Sequence, residues 1–195
     1  GMLLACDELL RCGVTTSCEL YFHNRRLVEA VLDAGMRCVV TPGILDLADA
    51  GPSWTWQKML DAALKLRSEA DGAAGLITVG LGPHSVYALP AEALAAVAAA
   101  AADGGALITT HVAETKEEGL RIEQTHGASA PQVLERLGVL DGRVLAAHCV
   151  WLSDQDMDIF ARHDVAVAHC PQSNAKLGSG VAPLSLMLSK ELRAV

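Results

Sequence analysis

Six short apolar runs alternate with stretches of helical spacing along this chain, and that alternation narrows the available folds more than any other feature. The runs are residues 14–20, 36–41, 76–82, 106–111, 143–148 and 165–169. Between them, residues 25–34, 55–69, 90–102, 115–124, 130–137 and 153–163 repeat apolar side chains three and four apart, or open on a capping residue. Residues 2–11 and 182–192 read as helices at either end. Strand then helix, repeated, predicts parallel strands with helices outside. A doubly wound open sheet and part of an eight-stranded barrel share this rhythm. No Gly-rich dinucleotide fingerprint or phosphate loop follows any strand. Three runs end on a histidine instead: His111, His148 and His169. In a β/α barrel the C-terminal strand ends share one face, and that face holds the chemistry. The expected fold class is therefore α/β, an incomplete TIM-type (β/α) barrel of six parallel strands with outer helices.

Composition removes several classes of function. The chain has 195 residues, 51% hydrophobic and 19% charged, which suits a single domain with a large core. Asp and Glu number 23 against 15 Lys and Arg, a formal charge of -8. Such a surface argues against nucleic acid as partner, since phosphates demand cations. It leaves a nucleoside or base open as a small substrate. No apolar run reaches the length of about 18 that a membrane span needs. The six cysteines lack the close spacing of a zinc knuckle, and no signal peptide follows Gly1-Met2. A reduced, cytoplasmic thiol set is expected.

The polar residues at the strand ends each carry two readings. His111 and Glu114 lie three apart. A metal-bound water needs a carboxylate that takes its proton and returns it to the leaving group. Glu114 is equally an acid opening an acidic helix with Glu117 and Glu118. His148 either orients a water or leaving group, or is a buried imidazole on a backbone carbonyl. His84, after Gly82-Pro83, either contacts substrate or merely fills a turn. His169, Ser173 and Asn174 form a polar loop that either faces a ligand or stitches itself together through its own side chains. Trp151 and Trp54 are pocket walls or packing. Glu19 and Asp46 stand near the ends of the first two strands, Asp46 opening a loop over residues 46–53. His23, His126 and His163 read as surface histidines.

The segments Gly82-Pro83-His84-Ser85, His111-Val112-Ala113-Glu114-Thr115-Lys116-Glu117-Glu118, Ala147-His148-Cys149-Val150 and His169-Cys170-Pro171-Gln172-Ser173-Asn174 occur in this order. Together with Gly13-Val14-Thr15-Thr16 and Tyr21-Phe22 they resemble the amidohydrolase superfamily. The similarity covers nearly the whole chain and is greatest to the branch of methylthioadenosine/S-adenosylhomocysteine deaminases and chlorohydrolases. The resemblance implies His111 as a metal ligand and Glu114 as the proton shuttle. It implies His148 at the water or substrate, and His84 on the substrate. His169, Asn174 and Trp151 complete the expected substrate-binding set.

The family also implies a divalent metal, zinc first with iron or nickel as alternatives. It is held further by a His-x-His pair on a first strand and an Asp after an eighth, and neither occurs here. The reading is one partial barrel domain over residues 1–195, spanning strands two to seven, without the first strand, the eighth strand or the family's β-sandwich. Metal binding by this chain alone is expected to be weak or absent, and the chain inactive. The parent enzyme is expected to hydrolyse an exocyclic C–N bond of a purine nucleoside or related N-heterocycle. Alternatives are a triazine chlorohydrolase or aminohydrolase, an inert barrel piece with a structural or ligand-binding role, and a metal-free enzyme using Cys149 or Cys170. Strand edges at residues 14–20 and 165–169, bare of Pro or Lys, imply a homo-oligomer.

Overall fold

The computed structural model describes residues 1–47, 51 and 54–195. Most of the loop expected over residues 46–53 lies outside the described residues. Among the described residues the chain is an α/β fold with seven strands in two sheets, of four and three strands, and flanking helices, an incomplete TIM-barrel-like arrangement whose six longer strands pair in parallel. It divides into two compact units, residues 1–82 and 83–195.

In the first unit, helix α1 (Met2–Arg11) leads into β1 (Thr16–Tyr21), α2 (Asn24–Ala34), β2 (Arg37–Ile44), α3 (Trp56–Ala70) and β3 (Ile77–Val79). The strands lie in the order β1-β2-β3, with Thr16 opposite Arg37 and Cys38 opposite Ile77. Alternation along β2 and β3 delivers Cys38, Val40, Ile77 and Val79 to a core completed by Val31 and Leu66 from the helices. Gly35, left-handed at φ 68°, ends α2 as its position after the apolar run predicts. The two-residue β4 (Gly82–Pro83) follows. Gly82 is constrained by contact rather than by dihedral. A Cβ there would stand 2.7 Å from the Thr41 carbonyl oxygen and 2.8 Å from that of Pro42.

The second unit contains α4 (Ala91–Gly104), β5 (Ile108–Val112), α5 (Lys116–His126), α6 (Ala130–Arg136), β6 (Val144–His148), α7 (Asp154–Arg162), β7 (Ala166–Ala168), α8 (Pro171–Leu177) and α9 (Leu184–Ser189). Strands run in the order β5-β6-β7. Their alternate residues Ile108, Val112, Ala146 and Val167 are buried, as are Ile122, Leu134, Met157 and Phe160 from the helices. Three helices start with reciprocal caps: Thr115 with Glu118, Ser129 with Gln132, and Ser153 with Asp156.

Two expectations change. The segment after the last strand is not a loop: residues 171–177 form α8, with Pro171 in the first turn, where a missing N–H costs nothing. The β7 edge is not bare either. Val167 donates to the Arg193 carbonyl at 2.7 Å and accepts from the Val195 N–H at 2.9 Å, so the C-terminal residues already pair with it.

The two glycines Gly82 and Gly119 should respond oppositely to alanine. Gly82→Ala is expected to destabilise by about 1–3 kcal/mol, because backbone oxygens cannot yield as a flexible side chain can. Gly119 sits inside α5 with nothing within 4 Å of a new Cβ, so Gly119→Ala should gain about 0.5–1 kcal/mol. Urea midpoints measure both. An unchanged midpoint for Gly82→Ala would contradict the close approach.

Candidate active site

Parallel pairing places the β5 and β6 ends side by side, with His111 opposite Ala147 and Val112 opposite His148. Simple alternation would turn His148 to the side of Val112, away from His111. The backbone departs from strand geometry there: His148 has φ 72° and Cys149 φ 52°. The two imidazoles end up stacked, with ring centroids 5.5 Å apart. The His84 ring lies 4.5 Å from that of His111 on a third segment. Three of the four predicted histidines therefore meet.

The His84 carbonyl oxygen organises the group. It accepts from the His111 backbone N–H at 2.9 Å, from His111 Nδ1 at 2.8 Å and from Thr110 Oγ1 at 3.3 Å. A carbonyl only accepts, so His111 Nδ1 carries the proton and Nε2 keeps its lone pair. That is the arrangement of a metal-ligating imidazole, whose other nitrogen donates to a fixed partner. His111 thus fits as one metal ligand. A catalytic site takes three protein ligands. Among the described residues no three or more His, Cys, Asp or Glu side chains gather to hold an ion.

His148 is buried, and its Nδ1 donates to Asn174 Oδ1 at 2.8 Å. Its Nε2 then faces Glu114, whose Oε1 lies 3.7 Å away. Glu114 is brought there by a tight turn after β5, in which Ala113 has φ 50°. The buried carboxylate of Glu118 spans that turn. Its Oε1 accepts from the Ala113 N–H at 3.1 Å, and its Oε2 from those of Glu114 at 2.8 Å and Thr115 at 3.5 Å. Burial pushes the Glu118 carboxyl up, while the three N–H groups pull it down. Neither Glu118 nor the Asn174–His148 bond was anticipated. The spacing Thr115-x-x-Glu118 carried the first signal, as a capping box. The second pairs residues 26 apart in sequence and left no local signal.

The remaining candidates lie further out. The His169 ring is in none of the ring contacts that join the other three, and its backbone N–H binds the Val195 carbonyl. Trp151 is half exposed. Its indole N–H donates to the Ser179 carbonyl at 2.7 Å, and Lys116 Nζ lies 5.9 Å from the ring. Gly180, at φ 124°, packs against Val150 and Trp151, and a Cβ there would come within 3.0 Å of Val150. His163 pairs with Glu135 at 3.1 Å, His126 ends α5, and His23 is exposed. In the first unit Glu19 is half-buried in β1, Asp46 is exposed, and Trp54 stands edge-on to Phe22. Cys149 is fully buried and burial pushes its thiol far up, which removes it as a nucleophile.

The family model described as Amidohydrolase family matches residues 1–195. This chain belongs to the amidohydrolase family. It is 40% identical over 194 residues to the 5'-deoxyadenosine deaminase of Methanothermobacter thermautotrophicus, covering 97% of this chain and 44% of that protein. It is 40% identical over 190 residues to the 5-methylthioadenosine/S-adenosylhomocysteine deaminase of Moorella thermoacetica, covering 97% of this chain and 43% of that one. Among solved structures, the zinc-bound adenosine deaminase of Xanthomonas campestris superposes with a TM-score of 0.91 at 26% identity, over 100% of this chain and 44% of that one. The chain spans less than half the length of these relatives. No helix among the described residues is long and apolar enough to cross a membrane.

Burial holds the His84 imidazole down, to about 4, and the neighbouring His111 pushes the same way. His111 is also lowered, by burial first, with the His84 carbonyl and Glu114 opposing. His84 should therefore stay neutral in an NMR titration until about pH 4. The unfolded chain takes up the same proton near 6.5, so His84 withdraws stability as the pH falls from about 6.5 towards 4. A ring that titrates near 6.5 would contradict its burial against His111.

Proposed function

We propose that this chain carries the proton-handling part of a metal-dependent deaminase site that acts on the exocyclic amine of a purine nucleoside. The observation that carries this reading is the facing of Glu114 Oε1 and His148 Nε2 at 3.7 Å, beside the free Nε2 of His111. The likeness to the two deaminases supports the nucleoside as substrate class. The zinc-bound relative supports zinc as the metal.

In this reading Nε2 of His111 would serve as one ligand of the metal. A bound divalent metal lowers the pKa of its water towards neutrality. Glu114 would take a proton from the attacking water at a carboxylate oxygen as a C–O bond forms at the amine-bearing ring carbon, and would return it to the exocyclic nitrogen as the C–N bond breaks and ammonia departs. One carboxylate serves both transfers, and such positioned acid–base groups contribute about 10²–10⁴-fold. His148, with Nδ1 donating to Asn174, would offer Nε2 as an acceptor that orients the water. His84, held neutral at ordinary pH, offers a hydrogen bond to the substrate. Trp151, fixed through its indole N–H, supplies an aromatic wall, and His169 borders the same strand ends.

A second reading follows from the ligand count. Among the described residues no cluster of three or more His, Cys, Asp or Glu is placed to hold an ion, and a catalytic ion takes three protein ligands. We propose that the 195-residue chain alone holds zinc loosely and turns over below ordinary enzyme rates, while keeping the nucleoside-binding surface.

NMR titration with 5'-deoxyadenosine, with and without zinc, tests both. Shifts should centre on His84, His111, Glu114 and His148, strengthen with zinc, and lose the zinc dependence in His111→Ala. Shifts confined to other parts of the second unit would overturn the site. Rapid zinc-dependent ammonia release that persists in Glu114→Gln would overturn the role of Glu114.

A further inference from the structure

Glu114 stands on a turn that the backbone does not favour. Ala113 sits at φ 50°, a region that costs an L residue about 1–2 kcal/mol. Three consecutive N–H groups, of Ala113, Glu114 and Thr115, leave the β5 ladder before helix α5 begins. All three point at one acceptor, the Glu118 carboxylate, which is only 8% exposed.

An ordinary capping box accounts for less than this. In that motif the third helical residue reaches back to the N-cap N–H alone. Here the N-cap is Thr115, and its N–H makes the longest of the three bonds, 3.5 Å. The shortest, 2.8 Å, goes to Glu114 itself, and the other oxygen holds Ala113 at 3.1 Å. The carboxylate is centred on the turn, not on the cap. Glu114 leaves this clamped backbone with its side chain half-buried and its Oε1 near His148 Nε2.

We propose that Glu118 is a positioning residue: its carboxylate holds the Ala113–Thr115 backbone in the one conformation that aims Glu114 at His148. This builds on the role given above to Glu114, yet the geometry stands whether or not Glu114 moves a proton. Two features favour a carboxylate over any neutral group. It offers two oxygens to three donors, where a glutamine amide would turn an NH₂ towards one set of N–H groups. It also presents full charge to them, and charge-assisted bonds are about twice as strong as neutral ones.

The test uses the 195-residue chain and does not depend on catalysis. Amide exchange and amide proton shifts of Ala113, Glu114 and Thr115 are measured in the wild type and in Glu118→Gln, Glu118→Asp and Thr115→Ala. Contacts between the Glu114 side chain and the His148 ring are followed by NOE in the same samples. Glu118→Gln should speed exchange at Ala113 and Glu114 by about 10–100-fold, the loss expected for hydrogen bonds to a charged group. It should also weaken the Glu114–His148 contact while the rest of the second unit keeps its spectrum. Glu118→Asp should restore part of both signals through its shorter carboxylate.

Thr115→Ala removes the other half of the capping box, where Glu118 N–H donates to Thr115 Oγ1 at 3.1 Å, and leaves the carboxylate in place. It should loosen the start of α5 without releasing Glu114. If Thr115→Ala frees Glu114 as much as Glu118→Gln does, Glu118 is only a helix cap and the proposal fails. Unchanged exchange at Ala113 and Glu114 in a folded Glu118→Gln would overturn it as well. Either result leaves the nucleoside titration free to succeed or fail by itself.

Discussion

A single backbone carbonyl, that of His84, carries the geometry on which the rest of the site depends. It takes hydrogen bonds from the His111 main chain, the His111 ring and Thr110. The ring bond fixes both the rotation of the imidazole and the nitrogen that bears its proton. Every role assigned to His111 follows from that, because a ring free to turn would present either nitrogen. The same contact brings the two rings within 4.5 Å, where burial keeps His84 neutral. Binding geometry and electrostatics here come from one set of bonds.

Around that centre the strand ends are held in conformations a regular sheet does not supply. Ala113, His148 and Cys149 all have positive φ, at positions where glycine would be the easy choice. Such residues persist only where their surroundings over-determine them. Glu118 clamps the first. The other two are held by Cys149 N–H on the Val112 carbonyl at 2.9 Å and Trp151 N–H on the Ala113 carbonyl at 3.0 Å. These two bonds tie the two turns to each other, so Glu114 and the imidazole it faces share one frame.

Much of this was legible in the sequence, and the reasons differ by level. The six strands and their order of helices followed from apolar periodicity, since a buried parallel strand needs a continuous apolar run whatever its neighbours. His111 and His148 announced themselves because each closes such a run, and His84 because it follows the Gly82-Pro83 turn. Residues 171–177 were harder. Ser173 and Asn174 are poor helix formers, and only Pro171 in the first turn hinted at a helix. Asn174 is nearly fully buried on His148, a pairing set by tertiary placement. The shared strand-end place of His111 and His148 was legible, but the turn that stacks their rings was not: strand alternation argues against it, and the left-handed backbone that permits it has no glycine to mark it.

The central claim is that His111 presents a fixed, unprotonated Nε2, with its proton on Nδ1 against the His84 carbonyl. Long-range proton–nitrogen NMR correlations of the His111 ring at neutral pH test this directly. A single Nδ1–H tautomer is expected, with Nε2 showing the shift of a bare lone-pair nitrogen. A ring found mainly as the Nε2–H tautomer, or averaging between the two, would contradict it.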